Sequence, residues 1–204
     1  MEKVLFVLLE EFADWELASL AAALNEEPEN GQAKRYLVET VSLKKEPIKS
    51  IGGITVLPDY ALNEVPTDFS ALILIGGNSW RKKESEDVME LVHYAISRNA
   101  VLGAICDAAY FIGSHGILNE VKHAANFLEE LQEVPLYTGE KYFEAKQAVR
   151  DGSIVTANGS AIFEFGKEVM LAMDAFPKAE ILEWYDFFNG CIPKSRNFGM
   201  VRFL

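Results

Sequence analysis

Residues 101–113 restrict the fold of this chain more than any other stretch. Val101, Leu102, Gly103, Ala104 and Ile105 form an apolar run too short to be a helix, and apolar residues continue at helical spacing from Asp107 onward. Cys106 is therefore expected where a buried strand turns into a helix. Ala104 and Ala108 stand two positions either side of it, small enough to let strand and helix pack closely while the central residue is forced to the top of a sheet. That is the logic of a nucleophile elbow. A thiol held there is expected to gain a thiolate-stabilising helix N-terminus and the Asp107 N–H as an oxyanion donor. The competing reading is a buried apolar cysteine closing a core strand, since free cysteine is among the most buried residue types. The flanking alanines, and a diglycine after an earlier strand, favour the reactive thiol.

Taken in order, residues 4–9 form a continuous apolar strand of the kind buried on both faces of a parallel sheet. Glu10 and Glu11 close it and no small-residue cleavage site follows, so the run is read as a first strand and not as a signal peptide. Residues 14–24 have helical spacing, with Asp14 the expected N-cap and Glu16 in the first turn. A glutamate there ordinarily complements the helix dipole, but Glu16 also falls just beyond the carboxyl end of the first strand, where open parallel sheets place their ligand crevice. A loop is expected at 28–31, a second strand over 35–43 and a small hairpin around Gly52 and Gly53.

Residues 71–75 are a third apolar strand, followed by Gly76, Gly77, Asn78, Ser79 and Trp80. One glycine would explain a tight turn; two lean toward a site made of backbone N–H groups, and with Cys106 at the end of the next strand they supply a second oxyanion donor. An amphipathic helix is expected over 85–98, a hairpin at Asp151-Gly152, and a helix over 161–173 with Ser160 as its N-cap. Residues 127–141 carry no clear period. Glu183, Trp184, Tyr185, Asp186, Phe187 and Phe188 are too aromatic to stand exposed, and are expected to cover the core or a partner subunit.

The 204 residues fit one domain over 1–204, and 50% hydrophobic residues with no membrane-length run describe a soluble globular chain. A net charge of −12 sets the surface against nucleic acid and anionic lipid. Two distant cysteines make no disulfide framework, which points to a reducing cytoplasm, and Cys191 is read as structural. The three histidines have no paired spacing, which argues against a zinc site. His115 is read as complementing a helix C-terminus, with a catalytic base as the alternative.

Glu16 after a strand, Gly76-Gly77 after a strand and Cys106 after a strand, in that order, resemble the ThiJ/PfpI family of intracellular cysteine peptidase-like proteins. The resemblance covers nearly the whole chain. It implies an α/β fold of the flavodoxin-like, class I glutamine amidotransferase-like kind: a three-layer α-β-α sandwich around a mainly parallel sheet. It implies Cys106 as elbow nucleophile, Glu16 as the carboxyl group bonded to its sulfur, and Gly77 and Asp107 as oxyanion N–H donors. Gly76, Asn78, Trp80 and Asn126 are expected to contact substrate, a small molecule or a peptide. No metal or organic cofactor is implied, and a homodimer or higher homo-oligomer is. Protease-like members place a histidine directly after the cysteine, where this chain has Asp107; another branch has one after the elbow helix, where Asn126 aligns. His123 lies at an odd offset from that position and is expected to face the other way.

Three functions are weighed on these residues, and the first is the one expected. Cys106 could serve a hydrolase of the protease or amidase type, or an enzyme acting on reactive carbonyl adducts. It could be the oxidisable thiol of a stress sensor, with Glu16 stabilising the product. Or the fold could be a binding module, with Trp80, Trp15 or Tyr185 lining a pocket.

Overall fold

In the computed structural model, which describes residues 1–26 and 34–190, β1 (Glu2–Val7) lies in the middle of a seven-stranded sheet. From β1 the chain passes through α1 (Asp14–Asn25) to β2 (Tyr36–Ser42), which pairs with it in parallel. A small two-stranded excursion, β3 (Ile48–Lys49) and β4 (Thr55–Val56), and a short edge strand β5 (Tyr60–Ala61) follow. The chain then returns to the other flank of β1 as β6 (Ala71–Leu74). It continues outward through α2 (Val88–Ser97) to β7 (Val101–Ile105), then α3 (Asp107–Ser114), the short α4 (Leu128–Gln132), β8 (Ala148–Asp151) and β9 (Ile154–Ala157). Helices α5 (Ile162–Ala172) and α6 (Lys178–Phe188) end the described chain. The strand order is β5-β2-β1-β6-β7-β9-β8, and only β8 runs antiparallel.

Alternation along the strands separates two apolar cores. Val4, Phe6, Ile73 and Ile105 face Leu20, Phe165, Val169 and Trp184 of α1, α5 and α6. Leu5, Val7, Leu72, Leu102 and Ala104 face Val88, Val92, Phe111 and Leu131 of α2, α3 and α4. Helices on both faces of a mostly parallel sheet make the three-layer sandwich that the apolar strands predict. The aromatic tail segment is α6, whose Ile181 and Trp184 are buried against α5 and whose Phe188 stacks on Phe163. It covers the core.

Topology also fixes where a site can be. Connections from β1 run toward one edge of the sheet and those from β6 toward the other, so the strand order reverses between them. A crevice opens outside the carboxyl ends at such a switch point. The segments that follow those strands carry Glu16, in the first turn of α1, Gly76 and, one strand further, Cys106.

Several local expectations change. Asp14 does not cap α1: Ala13 occupies that position, and the Asp14 carboxylate accepts the Ser50 hydroxyl at 2.6 Å instead. Ser160 does not cap α5, which starts after Ala161; its hydroxyl donates to Asn158 Oδ1 at 2.7 Å. The helix expected from 85 begins at Val88, because Lys83–Asp87 form a 3-10 turn. The loop at 28–31 and Cys191 lie outside the described residues.

Candidate active site

The backbone bends sharply at Cys106, with φ 61° and ψ −131°. A side-chain-bearing residue with positive φ costs on the order of 1–3 kcal/mol and persists only where its surroundings hold it. Here the Cys106 N–H donates to Ala157 at the end of β9 at 3.0 Å, while its carbonyl accepts the Ala109 N–H of the first turn of α3 at 3.0 Å. The strand ladder holds one side of the residue and the helix the other. The thiol is left half-buried at the carboxyl edge of the sheet.

Glu16 arrives from the first turn of α1, 1% exposed. Its Oε2 accepts the Gly76 N–H at 2.9 Å, and the loops after β1 and β6 are tied by the Ala13 N–H to Gly76 carbonyl bond, also 2.9 Å. Space for carboxyl and sulfur to meet is made by two residues without side chains. A methyl group on Gly76 would lie 2.5 Å from both Cys106 Cβ and Glu16 Oε2; one on Gly159 would lie 2.8 Å from Cys106 Sγ and 3.2 Å from Glu16 Oε1. Glu16 Oε1 has no partner in full hydrogen-bond geometry, and the thiol is the donor beside it.

Among the described residues no cation offsets this carboxyl group, and the carboxyl group and the thiol act on each other. Burial pushes Glu16 up to about 7 against the pull of the Gly76 N–H and the thiol; burial and then the Glu16 charge push the Cys106 thiol up to about 11. The donors at the start of α3 and on Asn126 favour the thiolate, but burial and the Glu16 charge outweigh them. Between these values the pair holds one proton and one negative charge, shared between oxygen and sulfur.

Neutral donors face the sulfur from the other side. Asn126 Nδ2 donates to Cys106 Sγ at 3.3 Å, and Asn126 Oδ1 accepts the Gly159 N–H at 2.8 Å, which fixes the orientation of the amide. The Asp107 N–H adds a bond that favours the thiolate. Beyond it, Arg81 forks onto the Asp107 carboxylate, Nε to Oδ2 at 2.9 Å and Nη2 to Oδ1 at 3.0 Å.

The sequence model of the DJ-1/PfpI family matches residues 2–172. The chain belongs to the DJ-1/PfpI family. A Bacillus subtilis (strain 168) protein named as an uncharacterized protease, YdeA, is 38% identical over 190 residues, covering 93% of this chain and 91% of its own length. The crystal structure of a thiJ/pfpI family protein from Bacillus anthracis superposes with a TM-score of 0.86 at 32% identity, covering 95% of this chain and 92% of that one. A glutathione-independent glyoxalase of Caenorhabditis elegans, DJR-1.2, is 26% identical over 140 residues, 67% of this chain and 73% of its length.

Within this DJ-1/PfpI chain the structure brings together Cys106, Glu16, Gly76, Asn126 and the Asp107 N–H. Gly77 lies beside them, with a second reason to be glycine. Its φ is 145°, and a side chain there would run within 2.4 Å of the Glu11 carbonyl and 2.7 Å of Phe12 Cα. The bridge between Phe12 and Gly77 is closed by the Ala13 and Asn78 N–H groups, so the Gly77 N–H takes no part in it. The Asn78 side chain is exposed. Trp80 is not a lining residue: 2% exposed, its indole donates to the Ile75 carbonyl at 2.7 Å and anchors the loop from inside. Trp15, beside Glu16, is 46% exposed.

None of the three histidines reaches the sulfur. His115 bonds Glu86 and the Phe111 carbonyl, both at 2.7 Å; His123 is fully buried between the Val121 carbonyl and the Tyr137 hydroxyl; His93 lies on the exposed face of α2. Sequence reasoning missed Gly159 and Arg81. Gly159 follows a strand that pairs with β7, and that adjacency is invisible until β9 is placed beside it. Among the described residues no group of three or more His, Cys, Asp or Glu side chains could hold a metal ion, and no helix is long and apolar enough to cross a membrane.

Proposed function

We propose that this chain is a cysteine-dependent enzyme acting on reactive carbonyl compounds, 2-oxoaldehydes above all, with Cys106 as nucleophile and Glu16 as proton carrier. The reading is supported chiefly by one feature: sulfur and carboxyl group share a single proton in a site where no histidine approaches them. Attack on an aldehyde carbon forms an S–C bond, and the carbonyl oxygen takes up the proton the pair holds; no leaving group has to be expelled. The Glu16 carboxylate then removes the hydrogen of the former aldehyde carbon as a proton and returns it to the neighbouring carbonyl carbon, while the proton of the first hydroxyl passes to the neighbouring oxygen. That internal redox shift leaves a thioester. Water cleaves it to a 2-hydroxy acid and restores the thiol, so the net reaction is addition of one water. Asn126 Nδ2 and the free main-chain N–H groups stabilise the oxygen charge without exchanging protons.

Peptide hydrolysis makes a further demand, a proton delivered to a departing amine, and Asn126 cannot meet it. The glyoxalase named among the relatives gives the carbonyl reading support. Purified protein incubated with methylglyoxal, and separately with a panel of peptide amides, decides the matter. Lactate formed by the wild type and lost in Cys106→Ser is the expected result. Cys106-dependent peptide cleavage with methylglyoxal left unconsumed would overturn it.

A further inference from the structure

Arg81 occupies the loop between β6 and α2, and the loop is anchored: the Trp80 indole donates to the Ile75 carbonyl at 2.7 Å and the Ser85 hydroxyl to the Trp80 carbonyl at 2.7 Å. Its guanidinium is held on three sides, by the fork onto Asp107, by Glu130 of α4 and by the Tyr110 ring 4.3 Å below. Asp107 is the residue after the nucleophile. Among the described residues, the charged side chains that act on the thiol are Glu16 from α1 and Asp107 from α3. The loops after β6 and β9 bring Gly76 and Gly159, the segment before α4 brings the neutral Asn126, and Glu130 meets the site only through Arg81. One of the two negative charges beside the sulfur thus has a dedicated counter-ion, and the other has none.

We propose that Arg81 is a positioning residue for Cys106: its fork offsets the Asp107 charge and fixes the first turn of α3, so that thiol reactivity depends on Arg81 acting through Asp107. This rests on Cys106 as the nucleophile and not on the identity of the substrate. A planar guanidinium matches a carboxylate with two parallel bonds, which an ammonium cannot do.

The test reads the sulfur directly. Iodoacetamide alkylation of Cys106 is followed against pH by peptide-resolved mass spectrometry, which separates it from Cys191, in wild type, Arg81→Met, Arg81→Lys, the Arg81→Met/Asp107→Asn pair and Glu130→Gln. Arg81→Met is expected to move the thiolate limb upward by about 0.5–1 pH unit, a three- to tenfold slower reaction at fixed pH. Arg81→Lys should fall between, the double variant should return to the wild-type profile, and Glu130→Gln should stay within about twofold of wild type. Coincidence of Arg81→Met with wild type overturns the proposal, as does failure of Asp107→Asn to reverse the shift. So does a Glu130→Gln profile equal to that of Arg81→Met, which would make Arg81 a strut for α4. Should Arg81→Met not fold, Arg81→Lys with and without Asp107→Asn carries the same comparison. Alkylation needs no carbonyl substrate, so a lack of turnover on 2-oxoaldehydes leaves this result standing.

Discussion

The sulfur of Cys106 has a carboxyl group on each side, and the two are built in opposite ways. Glu16 comes from a distant helix, is 1% exposed, and is met by a single backbone N–H. Asp107 is next in the chain, has a side chain 21% exposed, and is covered by both arms of the Arg81 fork. Sequence adjacency would make Asp107 the acid that governs the thiol. Burial gives that part to Glu16, because a carboxylate without water or a counter-ion holds its proton longest, and a proton held near neutrality is one that can be passed to a reacting oxygen.

The largest expected effect separates the two acids by turnover. Glu16→Gln should lower kcat/KM on a 2-oxoaldehyde by about 100-fold or more, the usual worth of a positioned proton carrier, while Asp107→Asn stays within about tenfold. Equal losses in the two variants would end the distinction drawn here. The alkylation profile sharpens it. In the wild type the rate should climb in two steps, near 7 as the pair loses its first proton and again toward 11. Glu16→Gln should abolish the first step and lower the second only in part, since burial, the larger cause, remains when the charge is gone.

Stability offers a second contrast. Because folding raises the Glu16 pKa from 4.5 to about 7, the native state is the better proton binder in that interval. The contribution of Glu16 is then fully present below about pH 4.5, declines as pH rises to about 7, and levels off above it. The difference in pH slope between wild type and Glu16→Gln, from urea unfolding at several pH values, should sum to about 3 kcal/mol across that window. Asp107→Asn loses a fork to a partner whose side chain is 45% exposed, and should cost less than about 1 kcal/mol. A wild type and a Glu16→Gln variant with parallel curves would contradict the burial argument.

How much of this could be read from the sequence follows from the range of each interaction. The apolar runs at 4–9, 71–75 and 101–105 are local signals, and they place three strands whose carboxyl ends carry Glu16, Gly76 and Cys106. The elbow was legible because Ala104, Cys106 and Ala108 are local as well. The caps were misread: Asp14 and Ser160 have side chains suited to capping, but Ser50 and Asn158 claim them through contacts that the helix sequences do not record. Trp80 was misplaced for a similar reason, as an indole beside a diglycine suits a pocket as well as a buried anchor. The thiol pKa required knowing how much water reaches the sulfur. Only the three-dimensional meeting of α1, the loop after β6 and the turn after β9 settles that.

The smallest effect tests the neutral side of the sulfur. The Asn126 amide is used at both ends, Nδ2 on Cys106 Sγ and Oδ1 on the Gly159 N–H. Asn126→Ala removes a donor that favours the thiolate and leaves the Gly159 N–H without this acceptor. Each bond is worth about 1 kcal/mol, so the upper alkylation limb should rise by less than about one pH unit, with a comparable loss of stability. Asn126→His then asks whether the position can be made to carry a proton. If neutral donation is all the site draws from it, the histidine variant will add no new step to the pH profile. A gain in peptide-amide cleavage would instead show that the missing proton donor alone had closed that reaction to this chain.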